Sequence, residues 1–344
     1  MLNIRLFKAL NGDSIVISYG KRKTYHILID GGCGKLCYRQ LCNFIEELRK
    51  GNGKIDLLIL THIDSDHIDG ILRLFSKSNF DFSLIKERWF NFGKGLQEAL
   101  KIEGVNRDIY LYDNDAKISW QQGDSLEGKI QSTNMYRKSF IKAIDCFLLG
   151  GAEITILSPS VETLYEFAKK ETDDSKLSAK IACMSDYNKE ISDLNEIEFE
   201  GAVSLTNKSS IAFLFEFEGK KLLLLGDAEA ATIEKSLLRL GYSRENRLKV
   251  DYCKIAHHAS KHNTSKELIE MIDCRDYIIS TQRTTQGRPS KECLSRIICN
   301  AASPVNFYCN YDINADKIFT EAEFLRYKMK FITLDEKGID TEGT

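Results

Sequence analysis

Apolar and polar residues fall into short runs along the chain, and many of the strand-like runs stop at polar or charged clusters. Ile4 to Ala9 and Ser14 to Ser18 predict short strands around the turn Asn11-Gly12-Asp13. Tyr25-His26-Ile27-Leu28-Ile29 predicts a third strand, ended by Asp30-Gly31-Gly32. Leu41 to Leu48 has helical period, with Phe44, Ile45 and Leu48 on one side. Asp56-Leu57-Leu58-Ile59-Leu60 is the short apolar run of a strand buried on both faces. It ends at Thr61-His62, and Ile71-Leu72-Leu74-Phe75 resumes helical spacing. Phe82 to Phe92 predicts a strand, and Trp89-Phe90-Asn91-Phe92-Gly93 within it reads as core. Tyr136 to Leu149 predicts a helix, and Ala152 to Leu157 a strand ended by Ser158-Pro159.

The later part repeats the theme. Ser210 to Phe217, the turn Glu218-Gly219-Lys220 and Lys221 to Leu225 predict a hairpin that ends at Gly226-Asp227. Glu229 to Leu240 predicts a helix, and Asp251 to Ala256 a strand ended by His257-His258. Lys266 to Ile272 predicts helix, Tyr277 to Ser280 strand, and Lys291 to Asn300 helix. Residues 1–335 therefore read as one α/β domain with a helical or loop insertion at about 160–205, and 336–344 as a C-terminal tail. Between Glu171 and Glu200 nine acidic residues stand against three lysines, the pattern of a solvated helix face.

Composition narrows the class. Over 344 residues, 48 basic and 50 acidic side chains leave a formal charge of −2. That excludes a protein that holds nucleic acid by bulk positive charge and leaves room for a local groove. No window approaches 18 uninterrupted apolar residues, so neither a membrane span nor a membrane partner is expected. The opening Met1 to Phe7 alternates like a strand and is not read as a secretion signal. Ten cysteines without a Cys-x-x-Cys pair read as reduced, packed thiols of a cytoplasmic protein. A zinc-thiolate site at Cys33, Cys37 and Cys42 is the rival reading.

The chemistry gathers elsewhere. Five of the six histidines fall in two clusters, Thr61-His62-Ile63-Asp64-Ser65-Asp66-His67-Ile68-Asp69 and His257-His258-Ala259-Ser260-Lys261-His262. His26 stands alone in an apolar strand and reads as a core residue. In the first cluster, positions 62 and 64 can face one point while 66 and 67 face another a few ångströms away. That suits two divalent cations, ~3.5–4 Å apart in two-metal hydrolases. A helix cap would need only one such side chain.

His62-x-Asp64-x-Asp66-His67 resembles the His-x-His-x-Asp-His motif of the metallo-β-lactamase fold, with Asp64 in place of the second histidine. Asn11-Gly12-Asp13, Asp30-Gly31-Gly32, Gly226-Asp227 and Lys254-Ile255-Ala256-His257-His258-Ala259-Ser260 are similar to further motifs of that fold, in the same order. Asn207-Lys208-Ser209-Ser210 extends the likeness to the β-lactamase-like domain of competence-type DNA-uptake proteins. Three departures stand out: no histidine lies between His67 and His257, Ala259 replaces a glycine, and Arg288 of Gly287-Arg288-Pro289 replaces a histidine.

The resemblance implies an αββα sandwich of two mixed sheets with outer helices. It also implies a cation pair, zinc or manganese, with His62 and Asp64 at one site and Asp66 and His67 at the other. Asp227 would bridge them, and His257 or His258 would complete the second site. Asp66 would orient the nucleophilic water, and whichever of His257 and His258 is not a ligand would donate the leaving-group proton. Asn207, Ser210, Lys261, His262 and Arg288 would contact substrate. The expected activity is metal-dependent hydrolysis of a phosphodiester, with DNA as substrate. A small ester or cyclic nucleotide, and a degenerate binding or regulatory subunit, are the alternatives. Partner proteins and oligomeric state stay open.

Overall fold

Strands that are apolar at nearly every position need cover on both faces, and the chain supplies it with helices outside and a second sheet inside. The computed structural model describes residues 1–102, 114–131, 133, 136–169, 186–201, 203–282 and 287–341. The first half runs β1 (Leu2–Leu6), β2 (Ile15–Tyr19), β3 (Tyr25–Ile29), α1 (Lys35–Lys50), β4 (Ile55–Leu60), α2 (Ser65–Phe75), β5 (Ile85–Phe90), α3 (Gly93–Ala99), α4 (Asn114–Gln131) and β6 (Tyr136–Lys138). It continues through β7 (Cys146–Leu149), β8 (Ala152–Ser158), α5 (Val161–Lys169), α6 (Ile191–Asn195), α7 (Leu205–Lys208), β9 (Ala212–Phe217), β10 (Lys220–Leu224) and α8 (Ala230–Arg239). The remainder is β11 (Leu248–Lys249), β12 (Tyr252–Lys254), α9 (Lys266–Glu270), β13 (Ile272–Asp273), β14 (Asp276–Ile279), α10 (Lys291–Asn300), β15 (Asn306–Cys309), α11 (Glu321–Tyr327), β16 (Lys330–Thr333) and β17 (Ile339–Asp340).

Two large mixed sheets result. One has the order β17-β1-β2-β3-β4-β5-β6 and the other β16-β15-β14-β12-β10-β9-β8-β7, with β11-β13 as a separate pair. Alternation along each strand divides the core into three layers. Ile27, Ile29, Leu57 and Ile59 meet Ile154, Phe213, Phe215, Leu222 and Leu224 between the sheets. Leu28, Leu58 and Leu60 point the other way, onto Leu41 and Ile45 of α1 and Ile68 and Ile71 of α2. Leu223, Cys253 and Tyr277 do the same against Ile233 and Leu237 of α8 and Leu294 and Ile297 of α10. This is an αββα sandwich. Among the described residues, no helix is long and apolar enough to cross a membrane.

Parallel pairing sets the functional end. β3 and β4 run side by side with Ile29 opposite Ile59, so Asp30 and Thr61-His62 emerge together. β10 and β12 run side by side with Leu224 opposite Lys254, which brings Gly226-Asp227 beside His257-His258.

Several expectations need correction. Tyr136 to Leu149 is not a helix: Tyr136–Lys138 joins the first sheet and Cys146–Leu149 the second. The second helix begins at Ser65, inside the histidine motif, and not near Ile71. Ile339 and Asp340, read as tail, form a strand on β1 opposite Ile4 and Asn3. Of the insertion, residues 170–185 lie outside the described residues, including Glu171, Asp173, Asp174 and Cys183. Its described acidic residues are not all a solvated face. The Asp186 carboxylate accepts from Ser290 Oγ (2.9 Å) and from the Lys291 (3.1 Å) and Glu292 (2.8 Å) amides at the start of α10. The nine described cysteines are free thiols, five of them buried.

Candidate metal centre

At the carboxyl ends of β4, β10 and β12, four imidazoles converge on one carboxylate oxygen. Asp227 Oδ2 lies 3.8 Å from His62 Nε2, 3.5 Å from His67 Nε2, 3.6 Å from His257 Nε2 and 3.7 Å from His258 Nε2. Asp64 Oδ2 is 3.6 Å from His62 Nε2, and Asp66 Oδ2 is 3.7 Å from His258 Nε2. The tightest groupings are His62, His67 and Asp227, then Asp66, His67 and His258, with Asp13, Asp30 and His67 behind them.

Each ring is held by its other nitrogen. His67 Nδ1 is 2.8 Å from Asp30 Oδ2, and His62 Nδ1 is 2.9 Å from Thr61 Oγ1, which itself donates to Asp30 (2.7 Å). His258 Nδ1 lies 2.8 Å from the Ser280 carbonyl and His257 Nδ1 2.8 Å from Asn263 Oδ1. Nδ1 anchored and Nε2 pointing inward is how metal-binding histidines are oriented. The Nε2 atoms of His62, His67 and His258 and the Asp227 Oδ1 are buried without a hydrogen-bond partner. Such atoms are costly unless something completes them, and a divalent cation fits that donor set of imidazoles and carboxylates. Asp64 sits at the N-cap of α2 yet makes no side-chain cap bond, so its carboxylate is available.

The two histidine pairs reach the point by different backbones. The first lies on the loop after β4 and the first turn of α2, locked to the Asp30 loop by Gly31 and Gly32 amides on the His67 carbonyl (2.7 and 3.0 Å). A Cβ on Gly70 would come within 2.1 Å of the Gly31 carbonyl, so only glycine allows this approach. The second pair is not on an extended strand. His257, His258 and Ala259 have φ of 48°, 57° and 61°, a left-handed run of three non-glycine residues. That turn aims both rings at Asp227, where an extended backbone would point them apart. It also makes Ala259 a strained stand-in for glycine.

Charge is concentrated here. Burial favours the neutral form of Asp227, but the His257, His67 and His258 charges carry it well below the usual carboxylate range. Burial raises Asp66 to about 6. His67 is held well above its ordinary value, because Asp227, Asp66 and Asp30 outweigh its burial. Burial, reinforced by Arg288, pushes His257 down to about 4, and burial takes His258 well below its usual range. Behind the ring of His258, buried Lys254 pairs with buried Asp13 and donates to the Gly226 carbonyl (3.2 Å). Asp13 Oδ1 faces His258 Nδ1 at 3.6 Å.

The expected substrate contacts are scattered. Asn207 is buried against His257, its Nδ2 3.4 Å from Nδ1. Ser210 is fully buried and accepts from the Asp227 amide (3.1 Å), supporting Asp227 from behind. Arg288 is half-buried, near enough for its charge to act on His257. Lys261 lies 3.6 Å from Glu292 and His262 is bound to the Glu200 carbonyl (2.8 Å), both outside the cluster. Thr61, Asn263, Asp13 and Lys254 support the site, a role that the sequence pattern does not assign to them. Lys254 had a signal, a charge within the apolar run Tyr252 to Ala256.

The metallo-beta-lactamase superfamily model matches residues 8–137, which span the Asp13 and Asp30 loops and the first histidine cluster. The chain has a metallo-β-lactamase fold. No curated protein matches the sequence as a relative. Among solved structures, the chain is similar to the metallo-beta-lactamase fold protein YhfI from Bacillus subtilis, at 12% identity and TM-score 0.39 over 98% of each chain. It is similar to a diphosphatase of the PhnP family at 12% identity and TM-score 0.38, over 98% of this chain and 96% of that one. CmlA β-hydroxylase from Streptomyces venezuelae matches at 10% identity and TM-score 0.41, over 96% of this chain and 53% of its own. The chain thus spans about half the length of that protein.

Proposed function

We propose that the protein is a metal-dependent hydrolase that uses two divalent cations to cleave a phosphodiester, with DNA as the substrate class. The observation that carries the reading is the convergence of four imidazole Nε2 atoms on Asp227 Oδ2, three of them buried and unpartnered. When bound, a cation pair brings the pKa of water towards neutrality and neutralises charge on a phosphodiester oxygen.

The ligands divide into two sets. His62 and Asp64 lie together, and His257, whose Nε2 is 3.6 Å from Asp227 Oδ2, is assigned to the same set. Asp66, His67 and His258 form the other, and Asp227 is common to both. In this division His257 takes the place of the histidine absent between His67 and His257. His257 and His258 are both neutral at pH 7, the form that binds metal, which suits them as ligands better than as proton donors. Arg288 supplies a cation for a phosphate, as far as its charge reaches His257. Asp66, about a third exposed, faces the opening and can orient a water.

A second reading, a small phosphodiester as substrate, is favoured by the lysines nearby. Lys208 is 2.9 Å from Glu229 and Lys261 is 3.6 Å from Glu292, so neither is free for a long polyanion. The test is metal-stripped protein given back manganese or zinc, assayed on linear DNA, circular DNA and bis(p-nitrophenyl) phosphate, beside Asp66→Ala. DNA cleavage lost in the variant and falling steeply with salt supports the first reading. Cleavage of the small diester alone, indifferent to salt, supports the second. No hydrolysis with either metal, and no bound metal, removes both.

A further inference from the structure

A cavity of about 600 Å³ opens at the other end of the seven-stranded sheet, beneath the carboxyl end of α1. It lies about 15–20 Å from the histidines along β3. No residue of the metal centre lines it. The sheet changes character there. Val16 and Leu28, paired across β2 and β3, pack under α1, but the next pair on the same face is Ser18 and His26.

The lining is cationic. Arg5, Lys23, Lys54 and Lys86 stand against Glu47 and Asp56, four minus two, leaving two positive charges. Asp56 is buried, with one oxygen bound to the His26 amide (3.0 Å) and the other shared by Lys86 and, at 3.9 Å, Lys23. One carboxylate cannot neutralise two ammonium groups, and Lys54 is exposed at the rim, its charge reaching only as far as Asp81, which lies outside the lining. Arg5 is fixed by Glu47 (2.8 Å), its guanidinium carbon 5.7 Å from the Phe7 and Phe44 rings, and its Nε is buried without a partner.

His26 completes the wall. Its Nδ1 is 2.9 Å from Ser18 Oγ, and its ring meets Phe44 edge-on at 5.8 Å. Burial holds its pKa below the ordinary value, so the ring is neutral at pH 7. Its Nε2 has no hydrogen bond among the described residues. A purely structural role for these groups would call for balanced pairs packed without a cavity.

The geometry points to a binding site for a small phosphate monoester, of the size of a mononucleotide. Two surplus cations match a dianionic phosphate, and the half-buried His26 ring that lines the cavity offers a face to the organic part. The volume falls within the range of about 300–1,000 Å³ typical of small-molecule sites. This inference does not rest on the metal-centre reading.

The test is calorimetry of the metal-loaded protein with adenosine 5′-monophosphate and, separately, inorganic phosphate at low salt, together with ¹⁵N signals of the His26 ring. Lys23→Glu/Lys54→Glu changes two rim lysines, and Asp66→Asn reports binding at the histidines. The expected result is monophosphate binding that shifts His26 and is tighter than phosphate. Each charge change should weaken it by about tenfold, while Asp66→Asn leaves it unchanged. Absence of binding, binding kept in the double variant, phosphate bound as tightly as the ester, or loss in Asp66→Asn would each overturn the proposal.

Discussion

The two histidine clusters arrive at Asp227 by opposite means. The first is set by ordinary backbone, a strand end followed by a helix start, and is clamped by the Asp30 carboxylate. The second is set by three successive left-handed residues and is held by Asn263 and the Ser280 carbonyl. The first cluster is organised by hydrogen bonds to a charge, the second by backbone strain against neutral partners. The difference teaches that two adjacent histidines can serve one point when the chain turns left-handed, where a strand would offer only one.

The hardest way to break the comparison is to remove what the clusters share. Asp227→Ala should lower metal-dependent hydrolysis by on the order of 10³-fold or more. Single changes then separate the clusters: His257→Ala and His258→Ala should each leave about one ion per protein by elemental analysis. Two ions in His257→Ala would show that His257 does not supply a ligand, and two ions in both variants that the left-handed turn supplies none.

Next in size is the ion pair under the second cluster. Lys254→Met leaves Asp13 buried and alone and should cost about 3–5 kcal/mol in denaturant unfolding. Asp13→Asn added to it should recover much of that loss. On the first cluster, Asp30→Asn should weaken metal binding by about 10–100-fold through His67 orientation, read by competition with a chelator. Asn263→Ala should act on the second cluster through His257 and, through the Asp227 carbonyl to which its amide donates (3.0 Å), on the shared carboxylate as well.

The clusters also differ in protons. In metal-free protein His67 lies above its ordinary pKa and is protonated at pH 7, while His257 and His258 lie below theirs and are neutral. Metal binding at pH 7 should therefore release about one proton, from the first cluster, seen as a buffer-dependent heat in calorimetry. Asp66, raised to about 6, takes up a proton as pH falls through that value. Affinity should then drop by about a further tenfold per pH unit. The smallest effect belongs to the turn. Ala259→Gly should raise stability by about 0.5–1 kcal/mol as the left-handed strain is relieved, read as a higher Tm.

What could be read without the structure followed local chemistry. β3, β4, the β9–β10 hairpin and α10 announce themselves by apolar runs that end in turn or charged residues, and their positions agree with the fold within a residue or two. Tyr136 to Leu149 misled because Phe140, Ile141, Ile144, Phe147 and Leu148 have spacings of three and four. Their partners, Glu87 to Trp89 for β6 and Ala152 to Thr155 for β7, lie on two different sheets. Local spacing carries no trace of such pairing. The first histidine cluster was legible because five ligand-type residues in eight positions have few other uses. The orientation of His257 and His258 was not, since a left-handed turn at non-glycine residues is set by its surroundings. One such contact is the His257 amide on the Gly226 carbonyl (3.0 Å). A Cβ on Gly226 would come within 2.5 Å of Ser210 Oγ, so that contact depends on glycine at a φ of 51°.

The pairing of β17 with β1 bears on how the protein is made. Ile4 finds Ile339 and Asn3 finds Asp340 only after the long stretch between them has been synthesised. Until then the outer edge of β1 stays open to any other extended segment, its own neighbours on a polysome included. The sheet that carries the first histidines can thus gather early from β1 to β5, while its β1 border waits for β17. Synthesis rate and chaperone cover over that interval bear on yield independently of anything at the metal centre.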